Sequence, residues 1–332
     1  MTKTVPDPQT DRALWMTRGT FGLMVHWLAP GPQPEKGERI PNLDRTVDAF
    51  NVSRFLADFH ASGADWLIFT IGQNSGFYAG PNATLDKFVG KPGHCSRRDL
   101  VGEIAHGVHA QKKRFIAYLP AEVAAQSHEI HQAFAWNPAD QSEFQTRYCA
   151  FIRDYALRLG KHLDGWWFDG CYTWDVFPNA VRRWSDWCDA ARAGNPDAAL
   201  AFNDGSFCIG ETRPPTPLQD YLSGEVEQLR DGAIRLGRGK DAPTHLPQSR
   251  FIPGTRCQWH ALLPIDCGPD MAWAHDTPGP MGPPRFSDAE LFAFVKRCRA
   301  AGGAVTLNVG IYQEGHLGAA TLDQLQRLRG AL

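Results

Sequence analysis

The chain has 332 residues, of which 43% are hydrophobic and 21% charged, and its formal net charge is −2. That composition allows a large core and excludes wholesale disorder. The charge is nearly balanced, with no basic stripe and no polybasic cluster, so neither nucleic acid nor a membrane surface is an expected partner.

Met1 to Pro6 carries no apolar stretch of the signal-peptide kind, and no apolar run reaches the roughly 18 residues of a membrane span. The expectation is a cytoplasmic protein. The eight Cys (95, 149, 171, 188, 208, 257, 267 and 298) are scattered without a Cys-x-x-Cys, which reads as reduced thiols rather than a zinc site. Eleven Trp is a high count, and indole faces that reach a surface are platforms for sugar rings.

An arm and a short helix, Asp11 to Arg18, precede a first apolar strand, Phe21 to Trp27. Pro30, Pro32, Pro34 and Pro41 predict a long irregular loop. Asn51 then starts a helix with Val52, Phe55, Leu56 and Phe59 on one face, closed by Gly63. Trp66 to Gly72 is a second strand, followed by a polar loop opening on Gln73-Asn74-Ser75-Gly76-Phe77-Tyr78.

An amphipathic helix over Asp99 to Gln111 leads to a third strand, Arg114 to Leu119, and a long helix over Ser142 to Gly160 leads to a fourth, Trp166 to Asp169. Ala180 to Arg192 reads as helix, Ala199 to Asp204 as the fifth strand, and Asp220 to Glu225 as a weak sixth. Residues 230–256 read as irregular, Gln258 to Leu263 as the seventh strand, and 266–286 as a Pro-rich loop. The helix Asp288 to Ala301, the eighth strand Ala304 to Val309 and the helix Thr321 to Leu328 close the chain.

Strands alternating with helices predict a parallel sheet of the α/β class. Eight of them predict a single (β/α)8 TIM-type barrel over residues 1–332, with room for one irregular unit at the weak sixth strand. No Gly-x-Gly-x-x-Gly follows a strand, which removes the usual dinucleotide reading.

In such barrels the chemistry sits where strands end. The candidate rim groups here are His26 and Trp27, Gln73 and Asn74, Glu122, Asp169, Asn203 and Asp204, Glu225, and Trp259 and His260, with Tyr78 in the second loop. Each has a bland alternative: a core histidine or tryptophan, an Asn-Asp-Gly turn, a solvated glutamate. Their recurrence at one rim favours a site.

Asp169 stands out, because a carboxylate after Trp166-Trp167-Phe168 is costly to bury without a partner. The first strand has one His and no His-x-His, and His128 and His131 have no carboxylate partner apparent in sequence. No Gly-x-Ser-x-Gly is present. No metal or other cofactor is therefore expected. Two carboxylates among aromatic, imidazole and amide groups suit glycosidic bond cleavage on a small glycoside or oligosaccharide. Rival classes are a catalytically silent carbohydrate-binding barrel and a sugar-modifying isomerase or lyase.

Four stretches carry a resemblance to the α-L-fucosidases of glycoside hydrolase family 29. Phe21-Gly22-Leu23-Met24-Val25-His26-Trp27 resembles the first-strand motif and Trp166-Trp167-Phe168-Asp169-Gly170 the nucleophile strand. Arg98-Asp99-Leu100-Val101 resembles a helix start of that family, and Gly302 to Gly310 with Glu314-Gly315 its last strand and turn.

The resemblance implies a retaining exo-hydrolase of an α-linked sugar, with Asp169 as nucleophile and His26 on a sugar hydroxyl. It makes Glu225, in Tyr-Leu-Ser-Gly-Glu, the best match for the acid/base. Departures are Gln73-Asn74 where the family usually has His-His, Trp259-His260 where it has Trp-Glu, and no counterpart of the common C-terminal β-sandwich. The expectation is a divergent relative with Asp169 and Glu225 catalytic, and His26, Trp27, Gln73, Asn74, Tyr78, Asp204, Trp259 and His260 lining the sugar site.

Overall fold

The structure is a computed structural model describing residues 10–27, 32–172, 176–177, 183–205, 213–237, 239, 241–266 and 273–332. Its strands are β1 (Gly22–Val25), β2 (Trp66–Thr70), β3 (Arg114–Pro120), β4 (Gly165–Asp169), β5 (Ala199–Phe202), β6 (Leu229–Arg230), β7 (Ala233–Arg235), β8 (Thr244–His245), β9 (His260–Pro264) and β10 (Ala304–Val309). Its helices are α1 (Leu14–Arg18), α2 (Leu43–Ala49), α3 (Val52–Ser62), α4 (Ala83–Val89), α5 (Leu100–Ala110), α6 (His128–Ala133), α7 (Ser142–Leu159), α8 (Trp184–Ala191), α9 (Asp288–Ala300) and α10 (Ala319–Ala331).

Seven strands form one parallel sheet in the order β5-β4-β3-β2-β1-β10-β9. The fold is TIM-like, but among the described residues the sheet has seven strands and does not close into the expected eight-stranded barrel. Residues 220–225, expected as the sixth strand, run between the edges β5 and β9 without forming one. Asp220 N–H donates to Leu200 O at 2.9 Å on one side, while Leu222 N–H donates to Gln258 O at 3.0 Å and Val226 N–H to Leu262 O at 3.0 Å on the other. Only isolated bridges result, Tyr221 with Gln258 and Glu225 with Leu262. The reason lies at Gly224: its φ of 76° interrupts the extended run, and a Cβ there would stand 2.2 Å from His260 O.

Period-2 alternation sorts the strand side chains into two cores. Met24, Ile68, Ile116, Tyr118, Trp167, Ala201 and Leu262 pack inside the curved sheet. Their neighbours Leu23, Leu67, Ala117, Trp166, Phe168, Phe202 and Leu263 face outward, packing with helix residues such as Phe55, Ile104, Phe151, Trp187 and Leu325.

The helices form where caps and apolar spacing coincide. Asn51 caps α3 by accepting Arg54 N–H at 2.9 Å, Phe55 and Phe59 are buried four residues apart, and Gly63 ends the helix at φ 77°. Asp99 caps α5 through Gly102 N–H at 3.0 Å.

Three short helices arise in stretches expected to be irregular or left unassigned, each opened by a side-chain cap: Asn42 for α2, Asn82 for α4 and Ser127 for α6. The stretch 230–256, expected as irregular, holds the antiparallel sheet β6-β7-β8. Its hairpin turns on Asp231 and Gly232, both at positive φ (54° and 68°), a pairing that matches the twist of two antiparallel strands.

The six described cysteines are free, while Cys208, Cys267, the arm before Thr10 and the expected helix start at 180–182 lie outside the described residues. Among the described residues no helix is long and apolar enough to cross a membrane.

Candidate active site

The alternation that builds the inner core also builds the site. On β4, Trp166 and Phe168 face out while Trp167 and Asp169 face in, and Trp167 stacks on Tyr118 of β3 at 5.3 Å between ring centroids. Asp169 thus closes an inward column at the C-terminal end of its strand. Its register partner is Pro120.

The Asp169 carboxylate accepts four hydrogen bonds. Tyr118 OH donates to Oδ2 at 2.5 Å. Gly170 N–H at 2.8 Å, Asn203 Nδ2 at 2.8 Å and Tyr172 OH at 3.2 Å donate to Oδ1. All four are donors, which suits an ionised, acceptor-only group. Gln73 Nε2 donates in turn to the Tyr118 phenol oxygen, so the second loop reaches Asp169 through one intermediary.

Asn203 follows β5 on the same inward parity as Ala199 and Ala201 and is fully buried. Gly205 N–H donates to its Oδ1 at 3.2 Å, which fixes the amide so that Nδ2 faces the carboxylate. The same side chain lies near enough to Glu225 to pull its carboxyl pKa down.

Glu225 is 6% exposed. Burial first, and then the negative charge of Asp169, push its carboxyl up to about 8, against the smaller opposing pull of Asn203. Asp204 and Glu227 add to the rise, so Asp204 lies close enough for its charge to be felt.

His26 lies two residues beyond inward-facing Met24 and is buried. Asn308 Nδ2 donates to Trp273 O at 3.0 Å, which turns Asn308 Oδ1 toward His26 Nδ1 at 3.2 Å. The proton is thereby assigned to Nδ1, and Nε2 is the accepting nitrogen. Burial lowers the His26 pKa, opposed by Asn308 and by the charge of Asp169. Tyr118 and Trp273 flank the imidazole at 5.0 and 5.7 Å between centroids.

The structure thus brings Asp169, Glu225, His26 and Gln73 together, with Asp204 nearby. Asn74 follows Gln73 on the loop, its N–H donating to Gln73 Oε1 at 3.1 Å and its carbonyl accepting Gln126 N–H at 2.8 Å.

Four expected site residues lie elsewhere. Trp27 has the outward parity: it packs edge-on against Phe50 and donates to Gln313 O at 3.2 Å. Tyr78 is buried in the outer core against Phe151 and donates to Val123 O, whose residue holds a φ of 64° that is rare for a β-branched side chain.

Trp259 and His260 sit at the start of β9, at the opposite end of the sheet from Asp169. Trp259 belongs to the outer core. His260 points inward but is bound to Leu222 O at 2.8 Å and Thr306 Oγ1 at 2.7 Å, and burial lowers its pKa to about 4. It is a satisfied core histidine. Glu122, by contrast, meets His131, nine residues on, at 3.3 Å, a pairing that the sequence does not announce.

Tyr118, Asn203, Asn308, Tyr172 and Trp273 complete the cluster; of these only Asn203 was among the rim groups named from sequence, and none was counted as a sugar ligand. A signal for the first three exists: counting in twos along β3, β5 and β10 carries the inward face from Ile116, Ala201 and Thr306 to a polar group at each strand end.

A TIM-like sheet with two carboxyls at its C-terminal rim defines the class of architecture. No family model matches the sequence, and no curated protein matches it. Solved structures share the fold over nearly the whole chain. An endo-fucoidan hydrolase of glycoside hydrolase family 107, MfFcnA4, superposes with a TM-score of 0.66 at 17% identity, covering 98% of this chain and 54% of its own. This chain thus spans about half the length of that hydrolase.

The α-L-fucosidase AlfC from Lactobacillus casei, solved with α-L-fucose product, gives a TM-score of 0.60 at 15% identity, covering 96% of this chain and 98% of its own. A structure described as a putative α-L-fucosidase from Bacteroides thetaiotaomicron gives 0.61 at 12%, covering 99% and 76%. At these identities the likeness is one of fold. It supports the resemblance to the α-L-fucosidases read in the sequence.

Proposed function

We propose that the chain is a glycoside hydrolase that cleaves an α-linked sugar by double displacement, acting in exo fashion on a small glycoside or oligosaccharide. The observation that carries this reading is a pair of carboxyls in unlike settings: Asp169 accepts four hydrogen bonds, while burial beside the Asp169 charge raises Glu225 to about 8. Two neighbouring carboxyls in unlike environments divide into an ionised nucleophile and a protonated acid.

In the first step an Asp169 oxygen attacks the anomeric carbon while Glu225 protonates the leaving oxygen, giving a glycosyl ester and a Glu225 carboxylate. In the second, Glu225 takes a proton from water, the water oxygen attacks the anomeric carbon, and the ester bond breaks to restore Asp169. The other residues bind and orient. Tyr118 and Asn203 fix the attacking carboxylate. In this reading His26 Nε2 accepts from a sugar hydroxyl, and Gln73, Asn74 and Asp204 serve the remaining hydroxyls. Trp273 and Tyr172 offer ring faces. One domain, residues 1–332, carries the whole reaction in this reading.

The test is a panel of nitrophenyl α- and β-glycosides, with Asp169→Asn as control. The expected result is release of nitrophenol from an α-glycoside, lost in Asp169→Asn while the fold survives. Turnover that survives Asp169→Asn would overturn the assignment.

A further inference from the structure

A cavity of about 680 Å³ opens at the other end of the sheet, beside the starts of β5 and β9. It is remote from the Asp169 rim. Ala13, Pro214, Pro217, Leu218 and Phe251 give it apolar walls. Arg12, Arg192, Arg213 and Arg256 also line it, against two acidic residues, Asp11 and Asp220.

The acidic groups are already engaged. Asp220 accepts Arg192 Nη2 at 2.6 Å and Leu200 N–H at 2.8 Å, and lies 3.9 Å from Arg12 Nη1. Asp11 pairs at 2.6 Å with Arg250, which does not line the cavity. Arg213 and Arg256 are exposed, and among the described residues neither has a hydrogen-bond or ion-pair partner. Two half-buried guanidiniums thus share one carboxylate and two more stand free. Arg12 registers the surplus: its pKa is lowered by burial and then by the positive charge of Arg192.

We propose that this cavity binds a small organic oxyanion, a carboxylate, sulfate or phosphate group carried on an apolar or aromatic body. Guanidiniums pair with oxyanions through parallel N–H donors, and do so more strongly beside apolar walls than in open water. The free Arg213 and Arg256 take the anionic group, and Leu218, Pro217 and Phe251 take the body. The fixed Arg12–Arg192 pair supplies positive potential from behind. The site is separate from the catalytic rim and does not depend on the glycosidase reading.

Calorimetric titration of the full chain with 4-nitrophenyl sulfate, 4-nitrophenyl phosphate and benzoate tests this. Inorganic sulfate at matched ionic strength and neutral 4-nitroanisole serve as controls. At least one aryl oxyanion is expected to bind saturably, one to one and more tightly than either control, and the tightest names the anionic group. Arg213→Glu with Arg256→Glu should weaken it by about tenfold or more. Leu218→Trp, which fills the cavity without touching charge, should weaken it as well, while Asp169→Asn leaves it unchanged. The proposal is overturned if none of the three binds, if 4-nitroanisole binds as tightly, or if the double arginine variant binds like the parent.

Discussion

The phenol of Tyr118 donates to Asp169 Oδ2 at 2.5 Å and receives the Gln73 amide in return, so a strand residue and a loop residue hold one carboxylate in place. Tyr118 is itself fixed by its stack on Trp167, two residues before Asp169 on the same strand. The nucleophile proposed here is thus oriented from two neighbouring strands and not by its own backbone alone.

Tyr118→Phe removes that donor and leaves the Gln73 amide without its acceptor. A hydrogen bond to a charged group contributes about 1.5–3 kcal/mol, so kcat/KM on a cleaved glycoside should fall on the order of 10–100-fold. Thermal unfolding should move little, since the ring and its stack remain. Unchanged kinetics would remove Tyr118 from the site.

Glu225 gives a pH signature with a definite sign. Its carboxyl is raised from an ordinary 4.5 to about 8, so the folded protein favours the neutral form. Stability from this group is fully present below pH 4.5 and is lost as pH rises through about 8. Glu225→Gln keeps the neutral shape and removes the titration. Its unfolding temperature should therefore exceed the parent's above pH 8 and change less across that window. Activity on glycosides with poor leaving groups should fall over the same alkaline limb. A parent profile flat from pH 5 to pH 9 would contradict the assignment of a raised carboxyl.

The two histidines should separate cleanly. His260→Leu leaves the Leu222 carbonyl without its donor and the Thr306 hydroxyl proton without its acceptor, although Trp66 Nε1 still donates to Thr306 Oγ1 at 2.9 Å; each buried group left unpaired costs about 1–3 kcal/mol. It should lower stability and leave KM alone. His26→Ala should do the reverse, raising KM with a smaller loss of stability. Chemical denaturation and steady-state kinetics on both variants read this directly.

How legible the site was in the sequence turns on parity. The order of strands and helices followed from apolar runs and caps, and β4 with its terminal Asp169 stood out by composition. Which rim residues share a face did not, because the strand boundaries decide it. Reading the first strand through Trp27 put two adjacent rings at the rim, yet adjacent strand residues face opposite sides, so His26 enters the site and Trp27 the outer core. Trp259 and His260 were assigned to a strand end when they open β9. Asn203 read as a turn signal because Asp204 and Gly205 follow it. The sixth unit was hard to read for a physical reason: its backbone hydrogen bonds go to both neighbours around a left-handed Gly224, leaving no uninterrupted extended run.

Gly224 carries the consequence. Its φ is 76° and a Cβ would stand 2.2 Å from backbone oxygen, so Gly224→Ala must shift the main chain that delivers Glu225. The expected cost exceeds about 1 kcal/mol from the backbone conformation alone. Activity on substrates that need protonation should fall further than activity on activated aryl glycosides. Equal losses on both would place the damage in the fold and not at Glu225.

The most direct test of the account is to find the atom that attacks the sugar. The parent enzyme would be incubated with the 2-deoxy-2-fluoro analogue, bearing a good leaving group, of whichever glycoside the panel shows to be cleaved. Peptide mapping by mass spectrometry then locates the trapped sugar. A single adduct on the Asp169 carboxyl is expected. An adduct on Glu225 or Asp204, or a first-formed sugar of inverted configuration, would contradict it.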